Sequence, residues 1–221
     1  MSGFSPQALV GGSTPCPSGV DATRYILGDW WKEEDLPVRW DRVFPGGPMT
    51  VEVGFGGGEF LVGMAAASPG ARFVGIERFG EGHRRLLAAL PAAGVRNVLS
   101  MVGDAYILMN LAFTDASLTC VTVNFSDPWP KARHARNRLL TAEFLGLAAR
   151  KLERGALIYA ATDDAPYALQ AAEAFEAVES LESHHPGVPW LTESPHSVRT
   201  RYERKWMAEG RPLHYFTYAK I

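Results

Sequence analysis

The chain has 221 residues, 47% of them hydrophobic and 21% charged, enough apolar content for one medium-sized core and too much for a fibrous or wholly disordered polypeptide. Twenty-two basic and 24 acidic side chains leave a formal net charge of -2, which at first sight disfavours a polyanionic partner. Two cysteines, Cys16 and Cys120, make no disulfide framework and lack metal-ligand spacing, and no apolar run nears the ~20 residues that span a bilayer, so the expectation is a cytoplasmic protein without zinc or membrane.

Residues 1–20, rich in Gly, Pro and Ser, show no apolar periodicity and read as a mobile tail. The rest of an N-terminal extension, to residue 48, holds Trp30, Trp31 and Trp40 among charges and ends in PGGP; it is expected to pack on the main domain, residues 49–221. From Met49 onward short β-branched runs alternate with longer Ala/Leu-rich segments. The spacing predicts strand 50–54, helix 59–67, strand 72–77, helix 80–92 and strand 97–103, then strand 118–125, helix 140–152, strand 156–162 and helix 165–180. A helix around 199–208 and a last strand, 213–219, are expected to close an edge. Such alternation reads as βαβ units, hence an α/β fold with a mostly parallel sheet covered by helices on both faces. Ligands of such sheets bind beyond the carboxyl ends of the strands, where Glu52, Glu77, Asp104, Asp127 and Asp163 are expected to gather on one rim.

The segment VEVGFGGGEF, 51–60, is a strand, a glycine-rich turn and a helix start, with Gly54, Gly56 and Gly58 open to close approach by a ligand or else serving a tight turn alone. A dinucleotide fingerprint would need glycine at the sixth position from Gly54, where Glu59 stands. An acid at Glu52 suits a cation better than a diphosphate, and S-adenosylmethionine carries both an ammonium and a sulfonium. One such attraction at about 4 Å is on the order of 4 kcal/mol before desolvation at an effective dielectric near 20. Glu77, at the end of its strand, is placed to accept ribose hydroxyls; Asp104 is placed to accept from an adenine amino group, or alternatively to cap a helix.

The net charge conceals an uneven distribution. Residues 155–198 contain seven acids and no Lys or Arg, so the remainder carries 22 basic against 17 acidic side chains. Four basic residues fall within KARHARNR, 131–138, and four within RTRYERK, 199–205. The first of these clusters follows DPWP, a loop stiffened by two prolines that fixes Asp127 and offers Trp129 as an aromatic plane. Lys131, Arg133, Arg136 and Arg138 suit a phosphate backbone.

VEVGFGGGEF, GIE (75–77), GDA (103–105), DPWPKARH (127–134), TDD (162–164) and TRYE (200–203), in this order, resemble the bacterial tRNA (guanine-N7)-methyltransferases. The resemblance covers about residues 49–218. It implies a Rossmann-like class I S-adenosylmethionine-dependent methyltransferase fold acting on guanine-46 in the tRNA variable loop; the sequence leaves monomer and homodimer both open. Carried onto matching positions, it implies Glu52, Glu77, Asp104 and Asp127 as cofactor contacts alongside the glycines, and Asp127 as the catalytic residue. It implies Lys131, Asp163, Thr200, Arg201, Tyr202 and Glu203 as substrate contacts. The chain departs from the family's Phe-Pro-Asp-Pro-Trp-Pro in having Ser126 before Asp127, which is expected to loosen that loop. Three other readings stand beside this one: a nicotinamide-dependent oxidoreductase, a methyltransferase for another base or small molecule, and a non-catalytic RNA-binding subunit.

Overall fold

The structure is a computed structural model that describes residues 37–44 and 46–221; the expected mobile tail and the packing of Trp30 and Trp31 lie outside the described residues. The chain divides into two compact units, Met1–Thr114 and Asp115–Ile221.

The first unit contains α1 (Trp40–Val43), β1 (Met49–Val53), α2 (Glu59–Ala67), β2 (Arg72–Glu77), α3 (Gly80–Ala93), β3 (Val98–Val102) and α4 (Ala105–Ala112). Its three strands are parallel, in the order β3-β2-β1, with Val51 opposite Val74 and Gly75 opposite Ser100. Five of the six residues of β2 are buried, the continuous pattern of a strand covered on both faces. Phe55, Leu61, Phe73, Leu86, Leu90 and Val98 form the core between strands and helices. Burying each such side chain contributes about 1.5–3 kcal/mol. Helix α4 is not among the predicted elements: seven of the eight residues of AYILMNLA are apolar, which leaves little polar contrast to mark the face that Leu108, Met109 and Ala112 bury.

The segment before β1 is stitched to this unit. Val38 N and Trp40 Nε1 both donate to the Ala112 carbonyl, at 3.1 and 2.8 Å, satisfying one of the acceptors left over at the end of α4. The Trp40 ring stacks on Phe113 at 5.1 Å. Arg72 donates to the carbonyls of Phe44 and Gly47.

The second unit contains β4 (Leu118–Asn124), a 3-10 turn (Ala132–Asn137), α5 (Ala142–Lys151), β5 (Leu152–Thr162), α6 (Ala165–Glu176), β6 (Leu181–Ser183), α7 (Arg201–Ala208) and β7 (His214–Lys220). Strands β4 and β5 are parallel, whereas β7 runs antiparallel to both β5 and β6. The last strand does not close an edge as expected: β7 lies between β5 and β6, and the three-residue β6, too short to announce itself, is outermost in this unit. Strand β5 begins four residues before its expected start; the register between β4 and β5 slips beyond Leu118, with Gly155 in the slipped stretch. Thr141 and Asp164 cap α5 and α6 by accepting from Phe144 N and Tyr167 N. Phe175 stacks on Tyr218 at 4.2 Å and ties α6 to β7. No helix among the described residues is long and apolar enough to cross a membrane.

Candidate active site

In the first unit, the turn between β1 and α2 has the backbone of an open cradle. Gly54, Gly56 and Gly58 have φ of 74, 55 and 84°, the left-handed region that side chains disfavour. A Cβ placed on Gly54 or Gly56 would meet nothing within 4 Å, so backbone conformation reserves both positions for glycine and leaves space over them. At Gly82, in the first turn of α3, a Cβ would instead collide with the Gly56 carbonyl and approach Glu77 Cγ, so helix and turn pack in contact. Glu77 locks the arrangement: Oε2 accepts from Gly56 N at 2.9 Å and Oε1 from Phe79 N at 3.1 Å. Each oxygen keeps a further lone pair, enough to accept a ligand hydroxyl. Glu52 is buried within β1.

Asp104 does cap a helix, the alternative named for it: Oδ1 accepts from Tyr106 N and Ile107 N at 3.0 and 3.2 Å, at the head of α4. Phe79 and Tyr106, which no motif of the sequence marks, each stand two residues after one of these acids and are exposed, Phe79 by 66%. Large apolar side chains left in solvent beside polar anchors suit the flat face of an aromatic ligand. His83, buried in α3, shares a 2.9 Å hydrogen bond with Ser100 Oγ, and burial pushes its pKa down to about 4, so it brings no positive charge at neutral pH.

In the second unit, β4 runs into the loop that carries Asp127. Phe125 and Trp129 adopt φ of 53 and 45°, conformations that cost a non-glycine residue on the order of 1–3 kcal/mol and persist only where surrounding contacts impose them. Those contacts are visible. Ser126 Oγ lies 3.2 Å from the Tyr167 hydroxyl, which also accepts from Leu140 N at 2.9 Å. Arg138 donates from Nε to the Pro128 carbonyl at 2.7 Å, from Nη2 to the Trp129 carbonyl at 3.4 Å and from Nη1 to Gln170 Oε1 at 2.7 Å. Its guanidinium also lies 5.4 Å from the Tyr167 ring centre. Two expectations change as a result. Ser126 does not leave the loop without support, and Arg138 is turned onto the protein instead of standing among the phosphate ligands. Asp127 itself is exposed, as are Lys131, Arg133 and Arg136.

The TRYE segment splits in two. Thr200 caps α7 and forms a capping box with Glu203: Glu203 N donates to Thr200 Oγ1 at 2.9 Å and Thr200 N to Glu203 Oε2 at 3.2 Å. The Glu203 carboxylate, 2% exposed, also accepts from Arg199 and from the Tyr215 hydroxyl at 2.8 Å. Burial, and then this bond, raise the Tyr215 pKa. Arg201 and Tyr202 point to solvent. Asp163, just after β5, pairs with Arg211 at 3.3 Å; Arg211 in turn lies 3.8 Å from the Trp206 ring centre. Neither Trp206 nor Arg211 was singled out from sequence. Trp206 stands four residues from Tyr202 on one helical face, a detectable signal, whereas Arg211 reaches Asp163 only through the fold.

A family model described as "Putative methyltransferase" matches residues 46–216. A tRNA (guanine-N(7)-)-methyltransferase of Cereibacter sphaeroides is 40% identical over 192 residues, covering 85% of this chain and 76% of that protein. One of Paracoccus denitrificans is 41% identical over 177 residues, 78% of this chain and 72% of that protein. Among solved structures, the antibiotic-resistance methyltransferase Kmr matches with a TM-score of 0.55 at 20% identity, covering 89% of this chain and 97% of its own. The 16S rRNA methyltransferase KamB matches with a TM-score of 0.56 at 16% identity, covering 80% of this chain and 89% of its own. At those identities the structural likeness shows the fold alone, the Rossmann-like class I methyltransferase fold. A family match across most of the residues from β1 to β7, with relatives about 40% identical over at least three quarters of the chain, places this protein in the tRNA (guanine-N(7)-)-methyltransferase family.

Proposed function

We propose that the chain transfers a methyl group from S-adenosylmethionine to N7 of a guanine in tRNA, with guanine-46 of the variable loop as the target. When bound, the donor supplies an activated methyl group on a sulfonium. The chain's own part is to hold both reactants. Glu52, Glu77, Asp104 and the left-handed turn at Gly54, Gly56 and Gly58 form the donor's cradle; the open space over Gly54 and Gly56 supports that assignment.

Guanine N7 has an available lone pair, so no proton has to be removed before it attacks. The protein's task is orientation, together with stabilisation of a ring that becomes cationic. Asp127 is suited to accept from guanine N1–H and the exocyclic amino group, and Lys131, Arg133, Arg136, Arg201 and Tyr202 provide exposed cationic and aromatic groups for the RNA. Thr200 and Glu203 serve the substrate by fixing the helix that presents Arg201 and Tyr202. Family membership leaves the oxidoreductase reading without support.

The observation that carries the reading is the exposed Asp127 on a loop whose backbone is held between two left-handed residues. The test is transfer of tritiated methyl groups to unmodified tRNA, followed by nucleoside analysis. Labelled 7-methylguanosine is the expected product, and its absence, or label in another nucleoside, refutes the proposal. Asp127→Asn is expected to lower turnover by ~100-fold or more while leaving the melting temperature near that of the wild type; wild-type turnover in the variant refutes the role of Asp127.

A further inference from the structure

The geometry points to Arg138 as a positioning residue for Asp127, acting with Tyr167 and Gln170 as a clamp on the loop. The inference rests on the role proposed for Asp127, but the clamp has a signature of its own. The anchors lie on both sides of Asp127. The residue before it, Ser126, is within 3.2 Å of the Tyr167 hydroxyl; the two residues after it, Pro128 and Trp129, give their carbonyls to Arg138. Gln170 completes the frame, accepting from Arg138 Nη1 and donating to the Leu140 carbonyl at 3.0 Å. Tyr167 and Gln170 stand one turn apart on α6, so a single rigid helix supports every anchor of the loop.

Three features distinguish this from a phosphate contact. All three nitrogens of the guanidinium already donate to protein oxygens. The side chain is half-buried, whereas Lys131, Arg133 and Arg136 of the same basic stretch are exposed. The task also requires a fork: two consecutive carbonyls and an amide oxygen cannot be spanned by the single ammonium of lysine. The serine that replaces the family's proline before Asp127 belongs to the same device. Where proline would stiffen the loop through its own ring, here a hydroxyl pair does so through α6.

Arg138→Lys separates the two roles, because it keeps the charge and loses the fork. Methyl transfer to tRNA is measured at several salt concentrations with Lys131→Gln for comparison. Amide hydrogen exchange is followed in the peptide covering residues 125–139. For Arg138→Lys the expected result is a kcat lower by about 10- to 100-fold, the scale of a small misplacement of a catalytic group. KM for tRNA, its salt dependence and calorimetric affinity for S-adenosylhomocysteine are expected to stay within about twofold of the wild type, and exchange in the loop to accelerate. Lys131→Gln is expected to show the opposite split, with a raised KM and a shallower salt slope. An Arg138→Lys enzyme with wild-type kcat and loop exchange, or one that loses only tRNA affinity, overturns the inference. If Arg138→Lys does not fold, Tyr167→Phe carries the same test, since it removes only the hydroxyl between Ser126 and Leu140; unchanged kcat and loop exchange in that variant overturn the clamp. Should the wild type transfer no methyl group to tRNA, the proposed function fails, and loop exchange alone decides whether the clamp exists.

Discussion

Glu203 offers a direct choice between a side chain that touches RNA and one that builds the surface proposed to receive it. Replacing it with glutamine preserves shape and removes the charge. In the structure its carboxylate accepts from Thr200 N, Arg199 and the Tyr215 hydroxyl, at 2% exposure. A hydrogen bond to a charged partner contributes about 1.5–3 kcal/mol against about 1 for a neutral one, and a buried donor left facing an amide NH2 costs about 1–3 kcal/mol. Arg199 is one third exposed, so its share is discounted for solvent screening. The total comes to roughly 2–4 kcal/mol. At about 2–4 °C per kcal/mol for a protein of this size, Glu203→Gln is expected to melt about 5–15 °C below the wild type. Thermal unfolding followed by circular dichroism reads that shift, and filter binding well below the transition reads tRNA affinity. Affinity is expected to remain within about threefold of the wild type, because the carboxylate is committed inside the protein. A variant that melts with the wild type yet loses tenfold or more in tRNA affinity would falsify this reasoning and put Glu203 on the substrate.

Glu77→Gln is expected to lose about 1–3 kcal/mol of stability, because an NH2 group replaces one of the two oxygens that accept separately from Gly56 N and Phe79 N and leaves that donor facing another donor. Affinity for S-adenosylhomocysteine should fall at least about tenfold by calorimetry, and wild-type values for both quantities would remove Glu77 from the cradle. His83 gives a pH dependence with a definite sign. Its folded-state pKa, about 4, lies below the unfolded value of 6.5, so the unfolded chain binds the extra proton and stability falls as pH drops through that window. The loss from this group reaches up to about 2 kcal/mol at pH 5. Urea midpoints at pH 7 and pH 5 should therefore lie closer together in His83→Gln than in the wild type; an undiminished gap shows that other groups carry the acid sensitivity.

The regular part of the fold was readable because β-branched runs and Ala/Leu-rich segments alternate: α2 and β2 fall on the residues that their pattern predicts. Helix α4 and strand β6 were hidden for different reasons, one apolar at seven of its eight positions and the other only three residues long. Of the candidate site, the glycine turn and the acids at strand ends were legible since backbone freedom and charge are local properties. Roles that depend on distant partners were not. Arg138 looks like its exposed neighbours until Gln170, 32 positions away, is beside it. Glu203 reads as a substrate contact until Tyr215 reaches its carboxylate from β7.

The attachment of Trp40 to the end of α4 also sets where the chain can be shortened. Cutting at Met49 would keep every strand among the described residues, yet it would strip Phe113 of its stacked indole and deprive the Ala112 carbonyl of both its donors. That carbonyl closes the helix that opens at Asp104. The stretch from Val38 to Trp40 therefore acts as a splint on the end of this helix, and a version of the protein that keeps the splint has to begin before Met49.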